Sequence, residues 1–147
     1  MLICGQVNPP PAQGGLSYNG VYFGEKDNFE EKAKTLKGLP LQLEHDSEVC
    51  VGNVLSGWVD KSSGAMWALA EIKTDRMTGA LTAAAIDKGK FSEFSLGYKA
   101  KMDKNPFTGK INVGDKRIHE LSIVKKGARD GCRIICSERP TKIIYKN

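Results

Sequence analysis

Short segments in which apolar and polar residues alternate, separated by glycine-containing turns, constrain this chain to a largely β structure. In residues 39–43 a leucine occupies every second position, which is the pattern of a half-buried strand. A β segment over 49–59 follows, and a turn signal at 61–64 joins it to a returning strand over 66–72. The first half of the chain is therefore predicted to be mostly antiparallel β.

The remaining elements follow from caps, turns and apolar runs. Helices are predicted over 27–37 and 75–88, each opened by a capping residue and ended by a glycine. The second is rich in alanine, so that one of its faces can pack closely on a sheet. Further strands are predicted over 2–7, 21–23, 91–100, 116–125 and 133–136.

Length and composition indicate one ordinary globular domain and disfavour several classes of protein. The formal charge of +5 comes from lysines and arginines spread along the chain without interleaved aromatics, which disfavours a nucleic-acid-binding face. No apolar run approaches the roughly 18–20 residues of a membrane helix, and the N-terminus is too short and uncharged for a signal peptide. We therefore expect a protein that works inside a cell, or inside a particle assembled in one.

The cysteines do not indicate a metal centre or a disulfide framework. They lie at positions 4, 50, 132 and 136, and in a chain that is not secreted they are expected to be reduced thiols. Cys132 and Cys136 have a spacing that suits a metal, but the residues between them are typical of a strand and no second ligand pair follows. We predict no metal and no cofactor.

A single hydroxyl marks the candidate site: Ser95 lies between apolar neighbours in the strand-like run 91–98. The chain has two histidines, His45 before this run and His119 after it. Serine is a weak nucleophile until a base takes its proton, and histidine suits that task near neutral pH. The alternation of 39–43 places His45 on the inward face of a strand, where a histidine is ordinarily a hydrogen-bonded core residue. The pattern alone does not decide between the two interpretations.

Three segments resemble a known family. Residues 39–46 (LPLQLEHD), followed by VGNV at 51–54, look like the first histidine motif of the herpesvirus capsid maturation proteases, the assemblins. Residues 94–97 (FSLG) resemble the nucleophile strand of that group and of the tailed-phage prohead proteases. Residues 117–124 (RIHELSIV) are similar to the segment of the second family histidine. The resemblance runs from about Ile3 to Ile134.

The resemblance implies a Ser-His-His triad in a serine endopeptidase. Ser95 would be the nucleophile, His45 the general base and acid, and His119 the group that orients His45. Backbone N–H groups of Ala128 and Arg129 would form the oxyanion loop. The segment that begins at Glu120 also resembles the phage prohead proteases, in which an acidic residue can be the third member of the triad. Glu120 is therefore the alternative to His119. Successive residues of a regular strand face opposite sides, so only one of the two can reach His45.

The fold we expect is a β-rich α+β structure: a closed or nearly closed, mainly antiparallel β-barrel with one or two main helices packed on it. Residues 1–136 would form the protease domain, and 137–147 a basic tail that can lead into a scaffold region. The substrate implied is viral scaffold protein, with self-cleavage of a precursor, in the interior of an immature capsid. A homodimer is left open, and no membrane or nucleic-acid partner is expected.

The location would be the host nucleus for a herpesvirus-like protein, or the bacterial cytoplasm for a phage-like one. Two other interpretations stay open at this point. The first is a catalytically inactive capsid-interior or scaffold-linked domain with the same fold, and the second is a small basic nucleic-acid-binding β domain.

Overall fold

The computed structural model describes residues 1–11, 27–127 and 131–138 of the chain. In those residues seven strands and two helices follow one another. The strands are β1 (Leu2–Asn8), β2 (Pro40–Leu43), β3 (Asp46–Val59), β4 (Met66–Ile72), β5 (Glu93–Lys104), β6 (Ile111–Val124) and β7 (Ile134–Glu138). The helices are α1 (Phe29–Lys34) and α2 (Met77–Asp87). Neither described helix is long and apolar enough to cross a membrane.

All seven strands belong to one sheet, in the order β5-β6-β2-β3-β4-β1-β7. Every neighbouring pair is antiparallel except β2 and β6, which run parallel. The sheet curls into a half-barrel. Its two outer strands, β5 and β7, approach each other through the isolated bridge between Glu93 and Arg133.

The β-rich class with two helices is confirmed, but the prediction of a closed barrel is wrong. A closed barrel needs a hydrogen-bonded ladder between the first and last strands of the sheet. In the described residues, β5 and β7 are linked only around the Glu93–Arg133 bridge, and the long remainder of β5 has β6 alone as its neighbour. The sheet is therefore open along most of that edge.

The core lies on one side of the sheet. Apolar residues of β2, β5 and β6 are buried there, including Leu41, Phe94, Leu96, Leu121 and Ile123. Helix α1 and the residues after it cover part of this core with Phe29, Ala33 and Leu36. In helix α2 the buried positions are the small residues Gly79, Thr82 and Ala83. The polar residues between the core positions of β5 and β6 face the other side of the sheet.

Several predicted elements differ from the structure in extent. Strands β5 and β6 are longer than expected and form one extended hairpin whose turn contains Gly109. Strand β7 continues through Ser137 to Glu138, past the predicted domain end at residue 136. The strand predicted over 21–23 lies outside the described residues, as do 139–147 of the predicted tail.

Candidate active site

The nucleophile candidate lies on the face of the sheet opposite the core. Ser95 is in β5 between two core residues, Phe94 and Leu96, and pairs directly with Ser122 of β6. Because side chains alternate along a strand, Ser95 and Ser122 point away from the core that their neighbours build. Ser95 is nonetheless buried. A residue from outside the sheet therefore covers it.

That residue is His45, which lies in a tight turn rather than on a strand. Leu43 of β2 pairs with Asp46 of β3, so Glu44 and His45 form the two-residue connection between these strands. Both have positive φ, 50° for Glu44 and 59° for His45, a backbone conformation that favours glycine. The expectation that His45 continues the inward face of a strand is wrong, because the chain reverses before reaching it.

The turn is held in this conformation by hydrogen bonds to β6 and to the residue that follows it. The Glu44 N–H donates to Ile123 O at 3.0 Å, and the Glu44 carboxylate accepts from Lys125 N–H at 2.8 Å. The His45 N–H donates to Ser122 Oγ at 3.0 Å. A non-glycine residue in the left-handed region costs on the order of 1–2 kcal/mol. Strain of this kind persists where surrounding contacts fix it, and it is concentrated at functional sites.

The imidazole of His45 joins a serine to a carboxylate. Its Nε2 lies 2.8 Å from Ser95 Oγ, and its Nδ1 is hydrogen-bonded to Glu120 Oε1. The other carboxylate oxygen, Oε2, accepts a hydrogen bond from the Ser122 hydroxyl at 2.7 Å. The His45 side chain is 42% exposed, whereas the Glu120 side chain is almost fully buried at 2%. A chain of hydrogen bonds thus runs from a buried carboxylate through a partly exposed imidazole to the buried hydroxyl of Ser95.

Gly97 makes the room that this carboxylate occupies. It pairs with Glu120 across β5 and β6, and a Cβ atom at position 97 would lie 2.5 Å from Glu120 Cδ and closer still to Oε1. Any other residue would therefore displace the carboxylate that contacts His45. The glycine in the segment 94–97 is required by packing next to the site rather than by an unusual backbone angle.

His119, the favoured third residue of the sequence analysis, lies away from this cluster. The register of β6 skips it: Gly97 pairs with Glu120 and Tyr98 pairs with Ile118, so His119 is the additional residue of a bulge. His119 is exposed, and the described structure brings Glu120 instead to His45. We expected His119 to contact His45, and the geometry instead supports the alternative, Glu120.

The electrostatics of the site favour a charged imidazole. The hydrogen bond that His45 donates to the Glu120 carboxylate is the largest influence and raises the pKa of His45 above its ordinary value. Partial burial of the ring opposes this, while the negative charges of Glu120 and Glu44 add to it. The carboxylate therefore makes His45 a stronger base than an isolated imidazole.

Ala128 and Arg129 of the predicted oxyanion loop lie outside the described residues. Described residues before and after this loop, Gly127 and Cys132, hydrogen-bond to the strand of Ser95. The Gly127 N–H donates to Glu93 Oε1 at 2.9 Å, and the Phe94 N–H donates to Cys132 O at 2.7 Å. The residues that bound the loop are therefore hydrogen-bonded to Glu93 and Phe94, the two residues that precede Ser95.

Two residues of the cluster were not found by sequence reasoning. Ser122 stands two positions after Glu120, and the alternation of β6 was a signal that both would share a face. Gly97 was part of the family-like segment, but its contact with Glu120 depends on strand register, which local sequence does not reveal. Among the described residues, no group of three or more His, Cys, Asp or Glu side chains is arranged to hold a metal ion.

A hydroxyl, an imidazole and a carboxylate in this order can activate the hydroxyl for attack on a carbonyl carbon.

Comparison with known proteins bears on the fold that carries this site. No protein-family model matches the chain, and no curated protein matches it. Twelve chains of solved structures do match.

Two of these are structures of Kaposi's sarcoma-associated herpesvirus protease in complex with an allosteric inhibitor. One is 14% identical, has a TM-score of 0.53 and is aligned over 90% of this chain and 75% of its own. The other, determined at room temperature, is 13% identical, has a TM-score of 0.56 and is aligned over 100% of this chain and 83% of its own. The chain thus has a fold like that of a herpesvirus protease.

Proposed function

We propose that the protein is a serine endopeptidase with a Ser-His-Glu triad formed by Ser95, His45 and Glu120. The observation that carries this proposal is the geometry of His45, whose Nε2 lies 2.8 Å from Ser95 Oγ while its Nδ1 hydrogen-bonds to a buried carboxylate. The fold shared with a herpesvirus protease supports peptide hydrolysis as the reaction.

In the first half of the reaction Ser95 Oγ attacks the scissile carbonyl carbon as His45 Nε2 takes the hydroxyl proton. The tetrahedral intermediate collapses, the C–N bond breaks, and the His45 imidazolium gives its proton to the leaving amine. In the second half a water molecule attacks the acyl-enzyme, again with His45 taking the proton. The acyl–Oγ bond breaks, the proton returns to Ser95, and the free acid leaves.

Glu120 acts on this cycle through His45. By accepting from the Nδ1–H it fixes the tautomer that leaves Nε2 free to accept a proton, and its charge stabilises the imidazolium formed in each half-reaction. A neutral imidazole in the same place would stabilise that charge less. The Ser-His-His triad implied by the family resemblance is therefore replaced, in this proposal, by one with a carboxylate.

The oxyanion of each tetrahedral intermediate needs donors close to Ser95. We assign these to backbone N–H groups of the loop containing Ala128 and Arg129. Support comes from the bounding residues, since Gly127 and Cys132 both hydrogen-bond to residues just before Ser95. The Gly127 N–H itself is used by Glu93 and is not part of this assignment.

The substrate we propose is viral scaffold protein, together with the enzyme's own precursor, cleaved inside an immature capsid. The support is the family resemblance of the segments around His45 and Ser95 and the similarity of the whole fold to a herpesvirus protease. By the same resemblance, cleavage would follow a small residue, often alanine.

The experiment is peptide cleavage by the parent protein and by Ser95→Ala and His45→Ala. A mixed peptide library, read by mass spectrometry, avoids assuming the cleavage motif. We expect cleavage by the parent and its loss in both variants. Equal cleavage by either variant would contradict the proposal, and a parent that cleaves no peptide would favour the catalytically inactive capsid domain instead.

A further inference from the structure

One buried hydroxyl beneath the site has no role in the triad as described. Ser122 is fully buried at 0% exposure near the C-terminal end of β6. Its Oγ donates to Glu120 Oε2 at 2.7 Å and accepts from the His45 N–H at 3.0 Å. A serine hydroxyl has one hydrogen to give, so both contacts fix its orientation completely.

We propose that Ser122 is a positioning residue that fixes the distance and angle between Glu120 and His45 by holding both. This inference rests on the proposed function. One contact holds the carboxylate on the side away from the imidazole, and the other holds the backbone of the histidine. The Glu120–His45 hydrogen bond is thus fixed at both ends by a single oxygen atom.

Both groups need such a restraint. The Glu120 side chain has three rotatable bonds, and on the opposite strand it faces Gly97, which has no side chain to hold it. His45 sits in a two-residue turn with a positive φ of 59°, a conformation that β-turn sequences without glycine seldom keep. Freed from Ser122, the carboxylate can rotate and the turn can relax, and each movement lengthens the hydrogen bond to Nδ1.

The alternative is a purely structural role, in which Ser122 only satisfies two buried polar groups. That role predicts lower stability and nothing else. Positioning predicts in addition a change at the imidazole itself. The charged groups acting on His45 are Glu120 from β6 and Glu44 from its own turn. Because the Glu120 hydrogen bond is the main cause of its raised pKa, loosening that bond brings the pKa of His45 down toward its ordinary value of about 6.5.

The test compares Ser122→Ala, Ser122→Thr and Thr82→Ala. Threonine keeps the hydroxyl in place. Thr82→Ala is the matched control, since it removes another buried hydroxyl whose hydrogen bond, to Thr78 O at 2.8 Å, lies within helix α2. For Ser122→Ala we expect kcat to fall about 10- to 100-fold with KM little changed, because a small misplacement of catalytic groups has effects of that order.

In a plot of kcat/KM against pH, the acidic limb of Ser122→Ala should lie at lower pH than that of the parent, because the pKa of His45 is lower in the variant. Ser122→Thr should recover most of kcat and the parent profile, and Thr82→Ala should keep both. The inference is overturned if Ser122→Ala retains the parent kcat and profile, or if Thr82→Ala changes them as much. A folded Ser122→Thr that stays as slow as Ser122→Ala also overturns it.

A measurement without catalysis separates this inference from the proposed function. With two histidines in the chain, NMR titration of the imidazole resonances follows His45 and His119 individually. In a Ser95→Ala background, adding Ser122→Ala should lower the pKa of His45. If peptide cleavage fails in the parent but this shift is seen, the positioning role stands and the protease proposal falls. If the shift is absent in an active enzyme, the reverse holds.

Discussion

Replacing Glu120 with glutamine tests the assignment of the third residue, because the structure predicts which way the new amide must face. The Ser122 hydroxyl donates to Oε2, so an oxygen is needed at that position. The amide NH2 group then falls at Oε1, where it donates to His45 Nδ1. The imidazole is forced to carry its proton on Nε2, which can no longer accept the proton of Ser95.

The expected loss of kcat in Glu120→Gln can be estimated from the two contributions of the carboxylate that the amide does not supply. The wrong tautomer and the missing charge together act on every proton transfer, and in the trypsin-like triad the equivalent carboxylate-to-amide change lowers kcat about 10⁴-fold. A comparable loss here corresponds to roughly 5 kcal/mol of transition-state stabilisation. KM should change little, since Glu120 is buried and does not face the substrate.

The assay is peptide cleavage over a range of pH by the parent, Glu120→Gln and His119→Ala. His119→Ala is the matched control, because it alters the adjacent residue of the same strand at an exposed position. It should keep kcat within a few-fold of the parent. The reasoning is refuted if Glu120→Gln remains as active as the parent, or if the large loss occurs in His119→Ala.

Other predictions concern room, charge and pH. Gly97→Ala should displace the Glu120 carboxylate and lower kcat/KM about 10- to 100-fold; its control is Gly57→Ala, whose new Cβ would meet Leu36 at 2.6 Å, away from the site. That control should reduce the melting temperature without changing the pH profile. Activity should rise as the pH increases through the raised pKa of His45, since only the neutral imidazole accepts the Ser95 proton. Stability should follow the opposite course: the contribution of the charged pair is fully present below about pH 6.5 and is lost as pH rises through the folded-state pKa, which thermal melts of the parent and of Glu120→Gln can compare.

Sequence reasoning identified the residue types of the site but not its geometry. Ser95 and His45 were singled out because a nucleophile needs a base, and the structure places them 2.8 Å apart. The turn at His45 escaped prediction, since neither Glu44 nor His45 is a residue that normally signals positive φ. Long-range hydrogen bonds to β6 stabilise the turn, and such contacts cannot be predicted from the sequence of the turn itself.

The choice between His119 and Glu120 shows a second limit. Strand alternation correctly stated that only one could face His45, but not which one. A bulge at His119 sets the register of β6, and bulges depend on how two strands pair rather than on either sequence alone. The open sheet has a similar origin, because the approach of β5 to β7 depends on the curvature of all seven strands.

The most direct test of the account is to map where an active-site-directed fluorophosphonate reacts. Ser95 Oγ should attack the phosphorus with loss of fluoride, and peptide mapping should find the adduct on Ser95 of the parent. The labelling rate should increase with pH through the pKa of His45 and should be lost in His45→Ala. An adduct on another residue, or equal labelling of His45→Ala, would contradict the claim that His45 activates Ser95.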